Sequence, residues 1–132
     1  HPVMTLSRYR EEDAKLATEN GVDGIVVSNH GGRQLDSCKA TIEVLPEIAE
    51  EVKGKTTLLI DGGIRRGTDI LKAVALGADA VLIGRPVVYG LAYNGEEGVK
   101  TTLNILRSEL DLAMALCGCS TIRDVDRNII AQ

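Results

Sequence analysis

Four short apolar runs, separated by segments of helical periodicity, constrain the fold of this chain more than any other feature. The runs cover residues 2–6, 24–28, 57–61 and 80–84. Their apolar residues are continuous rather than alternating, which is typical of parallel strands that are covered on both faces. We therefore expect four buried strands in a parallel sheet.

The glycines after two of the intervening segments mark helix ends. The first predicted helix covers residues 11–20 and stops at Gly21, and the third lies near residues 68–76 and stops at Gly77. Glycine directly after a helix is typical of the left-handed residue that terminates it. Both glycines are therefore predicted to end their helices in this way.

A second helix is predicted over residues 41–52. Its apolar residues recur at helical spacing and form one stripe. They are Ile42, Leu45, Ile48, Ala49 and Val52. Pro46 lies among them, and because proline has no backbone donor we expect the first turn to be irregular.

An internal repeat supports the alternation of strands and helices. Residues 17–28 align without gaps on residues 73–84, and the two segments are separated by the length of two strand-helix units. A βαβαβαβα order requires a parallel sheet with right-handed crossovers. Four such units form either half of an eight-unit barrel or a small open sheet, and composition leaves both possible.

After residue 84 the pattern becomes helical and contains no further strand. One predicted helix face consists of Val99, Leu103, Leu106, Leu110, Ala113 and Leu116. Gly118 lies near its end, and Ser120 or Thr121 is predicted to cap a short final helix over residues 122–130. We expect residues 1–132 to form a single domain.

Composition narrows the class of partner. The 132 residues include no Phe and no Trp, so the core must be aliphatic. The net charge of -4 and the pI near 5.2 argue against nucleic acid or an acidic membrane as the partner. A small soluble substrate fits this charge balance better.

The cysteines and termini bear on the cellular compartment. The chain has three cysteines, an odd number, at positions 38, 117 and 119. Only one residue separates Cys117 from Cys119, whereas common zinc and thioredoxin-type motifs have two residues between their cysteines. We expect reduced thiols in an intracellular protein, and no metal site.

No apolar run approaches the roughly 20 residues of a membrane span. His1 is expected to lie inside a longer natural chain or to follow a processing event, and the end NIIAQ leaves peroxisome and cytoplasm both open.

Polar residues follow three of the predicted strands. They occupy residues 28–33, 61–66 and 84–85. Because the carboxyl ends of parallel strands share one edge, these segments are expected to converge on one rim, where such folds place their sites.

Two of these segments have the features of a phosphate site. Gly62 and Gly63 allow close approach of the backbone, Arg65 can bind phosphate oxygens, and a helix begins near Thr68. The pair 84–85 repeats the combination of glycine and arginine. The alternative is two tight turns with solvated arginines, but two Gly-Arg turns after consecutive strands favour phosphate.

The first segment contains a histidine and an arginine three residues apart. A guanidinium at Arg33 can bind a carboxylate in bidentate fashion, and the imidazole of His30 can take a proton from the adjacent carbon or its hydroxyl. Asp36, or another carboxylate, could orient the imidazole. The alternative is a turn histidine that bonds a neighbouring carbonyl, and spacing alone leaves both open.

Three motifs together resemble a known family. They are SNHGGRQLD (28–36), DGGIRRGTDILKAVALGADAVLIGRP (61–86) and LDLAMALCGC (110–119). In this order they resemble the C-terminal half of the FMN-dependent 2-hydroxy acid oxidases and dehydrogenases, the glycolate and lactate oxidase family. The similarity extends over residues 2–130.

An alternative interpretation is another phosphate-binding barrel, such as the nucleotide dehydrogenases or the flavin-dependent isoprenoid isomerases. Their sites do not use an SNHGxR segment, so the motifs favour the oxidase family.

The resemblance implies a fold, a reaction and roles for residues. The fold would be the fifth to eighth strands of a TIM barrel, and the reaction would pass a hydride equivalent from a small L-2-hydroxy acid to FMN, which oxygen or another acceptor reoxidises. His30 would be the base at the substrate C2 position and Arg33 would bind the carboxylate. The residues implied in FMN binding are Ser28, Asp61, Gly62, Gly63, Ile64, Arg65, Gly84 and Arg85.

Two departures from the family leave a second function open. Leu6 stands where the family has a flavin-contacting lysine, and the first four strands, with the substrate tyrosines, are absent. The chain is therefore expected to act only with the missing half of the barrel. The alternative is an inactive half-barrel that retains a phosphate or FMN rim and associates with itself or with another half.

Overall fold

A computed structural model of the chain describes residues 3–6 and 11–130. Strands and helices alternate through the first part of the chain, and a long helix and two short 3-10 turns follow. The elements are β1 (Val3–Leu6), α1 (Glu11–Glu19), β2 (Gly24–Val27), α2 (Thr41–Val52), β3 (Thr57–Ile60), α3 (Gly67–Ala75), β4 (Ala80–Val81), α4 (Arg85–Leu116), and 3-10 turns at His30–Gly32, Ile122–Asp124 and Arg127–Ile129. Pro2, the first residue of the predicted first strand, lies outside the described residues.

The four strands form one parallel sheet in the order β1-β2-β3-β4. In its register Leu6 pairs with Val27, and Val27 pairs with Ile60. The predicted parallel sheet is confirmed. The prediction of a strand over residues 80–84 was too long, because the amide of Leu82 still donates to Ile60 at 2.8 Å but the chain then turns at Gly84 into α4.

An aliphatic cluster between the sheet and the first two helices forms the main core. Ile25, Val27 and Ile60 from the strands are fully buried against Leu45 and Ile48 of α2. Complete burial of each such side chain contributes about 1.5–3 kcal/mol relative to exposure. This layer fixes the strands, and therefore the loops that leave their carboxyl ends.

The predicted boundaries of the first three helices agree with the structure. Gly21 and Gly77 have φ values of 72° and 107°, which is the left-handed conformation expected after a helix. The expected irregular first turn of α2 was wrong, because the helix runs without interruption from Thr41 to Val52 with Pro46 inside it. Pro46 lies beyond the first turn, where the missing amide removes a single helical hydrogen bond.

The prediction for α4 was partly wrong. The helix begins at Arg85 and is kinked at Asn94 and Gly95, whose backbone angles are not helical. Leu106 and Ala113 of the predicted face are buried, but Leu103 and Leu116 are 47% and 80% exposed. Ala113 is buried where α3 and the C-terminal segment pack against α4. Helical periodicity identifies the face but does not show which part of it is covered.

The final segment forms two 3-10 turns rather than one helix. The amide of Thr121 donates to the Asp124 carboxylate at 2.6 Å and starts the first turn. The Asp126 carboxylate then accepts from the amide of Asn128 at 2.8 Å and starts the second. Each aspartate side chain accepts from a backbone amide near the start of its own turn, so the segment forms two short turns instead of one helix. None of the helices in the described ranges has the length and apolar composition of a membrane span.

Candidate active site at the carboxyl edge of the sheet

The segments after β2, β3 and β4 meet at one rim, as predicted. They enclose a cavity of about 500 Å³. Its lining includes Gly31 and Arg33 from the first segment, residues 61–65 from the second and residues 82–86 from the third. The structure therefore brings together most of the site residues predicted from the sequence, while Ser28 and His30 lie next to the cavity rather than on its lining.

Both glycines after β3 adopt a left-handed backbone conformation, which side chains other than hydrogen disfavour. Gly62 and Gly63 have φ values of 86° and 81°. The hydroxyl of Thr41 donates to the carbonyl of Asp61 at 2.6 Å and holds this turn from beneath. A Cβ atom on Gly62 would lie 3.2 Å from the Thr41 hydroxyl, whereas the space above Gly63 is open. The backbone amides of Gly63 and Ile64 have no acceptor among the described residues, so they are available to an anion.

Two arginines supply positive charge at this cavity. Arg65 and Arg85 are both exposed and both line it. Arg85 also lies near the first segment, since a Cβ atom on Gly31 would be 3.8 Å from its Nη2 atom. Neither guanidinium forms an ion pair within the part of the chain that the structure describes. Both are therefore free to bind the oxygens of an anion.

Several backbone amides around the start of α3 are taken by carboxylates of the chain itself. The amides of Arg65 and Arg66 donate to one oxygen of Asp69 at 3.0 and 2.9 Å. The amide of Gly67 donates to Glu109 of α4 at 2.8 Å. Two carboxylates therefore occupy three of the amides around the start of α3, and their negative charge would oppose a phosphate at these amides.

His30 begins the 3-10 turn after β2 and has a left-handed φ of 54°. Its side chain is exposed, and its amide donates to the Ser28 hydroxyl at 3.1 Å. Asp36, which was predicted as a possible partner of the imidazole, forms no hydrogen bond with it in the described part of the chain, and its carboxylate accepts from the amide of Ser37 at 2.9 Å. No carboxylate in the described ranges bonds the imidazole, which is left accessible beside Arg33.

A hydrogen-bonded pair of polar side chains, one buried and one half-buried, connects the first two segments. The hydroxyl of Ser28, which is 3% exposed, donates to Asp61 Oδ2 at 2.8 Å. The other oxygen, Oδ1, is buried and has no hydrogen-bond partner in the described part of the chain. Ser28 and Asp61 each directly follow a strand, and the register pairs Val27 with Ile60, which places the two polar residues side by side.

Two residues that support this rim were missed by the sequence analysis. Thr41 holds the turn after β3, and Asn29 accepts from the amide of Gly32 at 3.2 Å and closes the turn after β2. Threonine at the start of a helix and asparagine before a glycine turn are both typical of such roles. Within the described residues, no group of three or more His, Cys, Asp or Glu side chains could hold a metal ion.

Comparisons with known proteins agree with the motifs. A family model described as FMN-dependent dehydrogenase matches residues 9–132. The 2-hydroxyacid oxidase 1 of Mus musculus is 54% identical over 131 residues, which are 99% of this chain and 35% of that protein. The peroxisomal (S)-2-hydroxyacid oxidase GLO4 of Arabidopsis thaliana is 59% identical over 127 residues, which are 96% of this chain and 35% of that protein.

A solved structure shows the same arrangement. The crystal structure of mandelate oxidase matches with a TM-score of 0.90 and 50% identity, over 95% of this chain and 36% of that chain. The sheet described above is therefore part of a TIM barrel and not a small open sheet. The chain spans about a third of the length of the curated relatives described here.

Proposed function

Because the chain belongs to the family of FMN-dependent dehydrogenases, we propose that it supplies one part of an enzyme that oxidises a small L-2-hydroxy acid to the 2-oxo acid. The observation that carries the proposal is the convergence of residues 61–65, 84–85 and Arg33 on one cavity, with His30 at its edge. The rest of the barrel, from the part of the relatives that this chain does not cover, would complete the site.

The residues at the cavity fit FMN, which is a phosphorylated polyol attached to a flavin ring. The free amides of Gly63 and Ile64 and the guanidinium groups of Arg65 and Arg85 suit the phosphate. The unpartnered Oδ1 of Asp61 requires a donor, and a polyol hydroxyl is one. When bound, FMN supplies the two-electron acceptor for the reaction.

Arg33 and His30 suit the 2-hydroxy acid itself. The Arg33 guanidinium lines the cavity and would bind the substrate carboxylate through two parallel hydrogen bonds. This contact fixes the adjacent C2 atom and its hydroxyl. The His30 imidazole, which no described side chain occupies, would accept the proton that the substrate releases as its C2 carbon is oxidised.

Leu6 limits the oxidation reaction that the chain can support. The register places its backbone at the end of β1, next to Val27 and one position before the level of Ser28. In the resembling enzymes a lysine at this point gives positive charge to the reduced flavin, and leucine has none. We propose that the chain binds FMN through its phosphate side and that oxidation is slow even when the other half-barrel is supplied.

The test is the His30→Asn variant, assayed with the chain co-expressed with the N-terminal portion of a 2-hydroxyacid oxidase. FMN fluorescence quenching measures binding of the cofactor, and peroxide release from glycolate or lactate measures oxidation. The variant should lose at least about 100-fold in oxidation, because a positioned base contributes 10²–10⁴-fold, and it should retain FMN. Loss of FMN binding together with oxidation would contradict the role given to His30.

A second candidate function is a half-barrel that binds FMN or phosphate without redox chemistry and pairs with a second copy of itself. The observation in its favour is that β1 and β4 are the two ends of the sheet and each presents an unpaired backbone edge within the described residues. Leu82, Val88 and Tyr89 beside β4 are 44%, 59% and 66% exposed. Light scattering tests it, since a monomer at micromolar concentration would exclude the pairing.

We also propose an intracellular location. Cys38, Cys117 and Cys119 are all free thiols in the structure, and disulfides are rare where thiols are kept reduced.

A further inference from the structure

The conformation of His30 is unusual for a residue with a side chain. Its φ of 54° lies in the left-handed region, and Ser37 is the only other described residue besides glycine with a positive φ. A side chain disfavours this region because Cβ approaches the neighbouring carbonyl oxygen. The His30 side chain is exposed, so packing does not hold the conformation. Some other contact must stabilise it.

Two hydrogen bonds in series supply that contact. The amide of His30 donates to Ser28 Oγ at 3.1 Å, and Ser28 Oγ donates to Asp61 Oδ2 at 2.8 Å. The direction of both bonds is fixed, because an amide can only donate and an ionised carboxylate can only accept. The Ser28 proton therefore points at Asp61, and a lone pair of the same oxygen faces the His30 amide.

Both supports of His30 are themselves held firmly. Ser28 is 3% exposed and directly follows Val27, which is fully buried in the core. Asp61 follows Ile60 in the neighbouring strand, and its carbonyl is held by the Thr41 hydroxyl. The bond to the carboxylate is charge-assisted and therefore stronger than a bond between neutral groups.

We propose that Ser28 and Asp61 are positioning residues for His30, and that they hold its backbone in the left-handed conformation that directs the imidazole toward the substrate. This inference rests on the proposed role of His30 as the base. Asp61 uses Oδ2 for this purpose, and the buried Oδ1 of the same carboxylate remains for the cofactor. One carboxylate would thus set the positions of both the cofactor and the base.

A neighbouring contact offers a matched control. Asn29 Oδ1 accepts from the amide of Gly32 at 3.2 Å and closes the same 3-10 turn without touching the His30 amide. If the turn as a whole determined the His30 conformation, loss of this contact would disturb His30 as much as loss of the Ser28 hydroxyl. The inference predicts instead that the two contacts have separate effects.

The experiment compares the ¹⁵N-labelled full chain with its Ser28→Ala, Ser28→Thr and Asn29→Ala variants by NMR, without FMN. In Ser28→Ala, exchange of the His30 amide should accelerate by about five- to tenfold, the effect of one hydrogen bond. The nuclear Overhauser cross-peak between the Hα and the amide proton of His30 is strong when φ is positive, and it should weaken in this variant. Ser28→Thr keeps the hydroxyl and should restore both signals, while Asn29→Ala should change Gly32 and leave His30 as it was.

Unchanged exchange and an unchanged cross-peak at His30 in Ser28→Ala would overturn the inference, as would an equal response to Asn29→Ala. If Ser28→Ala does not fold, Asp61→Ala removes the other bond and is judged by the same two signals. An FMN titration of the unmodified chain is separate. Failure to bind FMN would count against the proposed function, and the His30 signals would still decide the inference.

Discussion

Gly67→Ala should separate α3 from α4 and destabilise the fold. Gly67 is buried at the start of α3, where α4 crosses it, and its amide donates to Glu109 at 2.8 Å. A Cβ atom at this position would collide with the backbone nitrogen of Leu110, and it would lie 2.5 Å from the carbonyl carbon of Glu109 and 2.6 Å from its Cβ. Carbon atoms normally pack at about 3.5–4.0 Å. The helices must therefore move apart by at least about 1 Å to admit one methyl group.

The change in the free energy of unfolding of Gly67→Ala is the difference between two opposing effects. Alanine is favoured over glycine within a helix by about 0.5–1 kcal/mol. Overpacking a close contact costs about 1–3 kcal/mol, and separating the helices also loosens the cluster of Leu71, Ala75 and Ala113. We expect a net loss of about 1–2 kcal/mol in the free energy of unfolding, and a fall of about 4–8 °C in melting temperature.

Urea and thermal unfolding followed by circular dichroism measure this change, with Gly84→Ala as the control. Gly84 has a φ of -114° and nothing within 4 Å of an added Cβ. An added Cβ there meets no neighbouring atom, so this variant should lose less stability than Gly67→Ala. Equal stability of Gly67→Ala and the unmodified chain would refute the reasoning from the helix contact. An equal loss in both variants would show that the glycine content, and not the contact, determines stability.

Two further predictions concern the rim and the cysteines. Arg85→Ala should weaken FMN binding by about tenfold, consistent with loss of a charged hydrogen bond, whereas Arg66→Ala, outside the cavity lining, should leave FMN fluorescence quenching as it was. Burial raises the pKa of the Cys119 thiol, and nearby Cys117 adds to the effect, so less reactive thiolate is present at pH 8. Iodoacetamide should therefore modify the exposed Cys117 first in mass spectra over time, and equal rates would contradict this.

The parts of the fold that were predicted correctly depend on local patterns. The helix ends at Gly21 and Gly77 follow from the conformational freedom of glycine, and the strands from continuous apolar runs. The length of β4 and the buried face of α4 depend instead on which neighbours cover them. Leu103 and Leu106 both belong to the predicted face, yet Leu106 is 4% exposed and Leu103 is 47% exposed. Periodicity identifies a helix face but not how much of it is covered.

The same distinction applies to the site. In the glycine turn after β3, the amides of Gly63 and Ile64 have no acceptor among the described residues. At the start of α3, by contrast, the amide of Gly67 donates to Glu109, which lies 42 residues later in the chain and could not be identified from the local motif. The left-handed His30 was likewise invisible, since its support comes from Asp61 through Ser28 in the neighbouring strand. Sequence motifs therefore identify which groups reach the rim, and the contacts between strands and helices decide which of them remain free to bind a ligand.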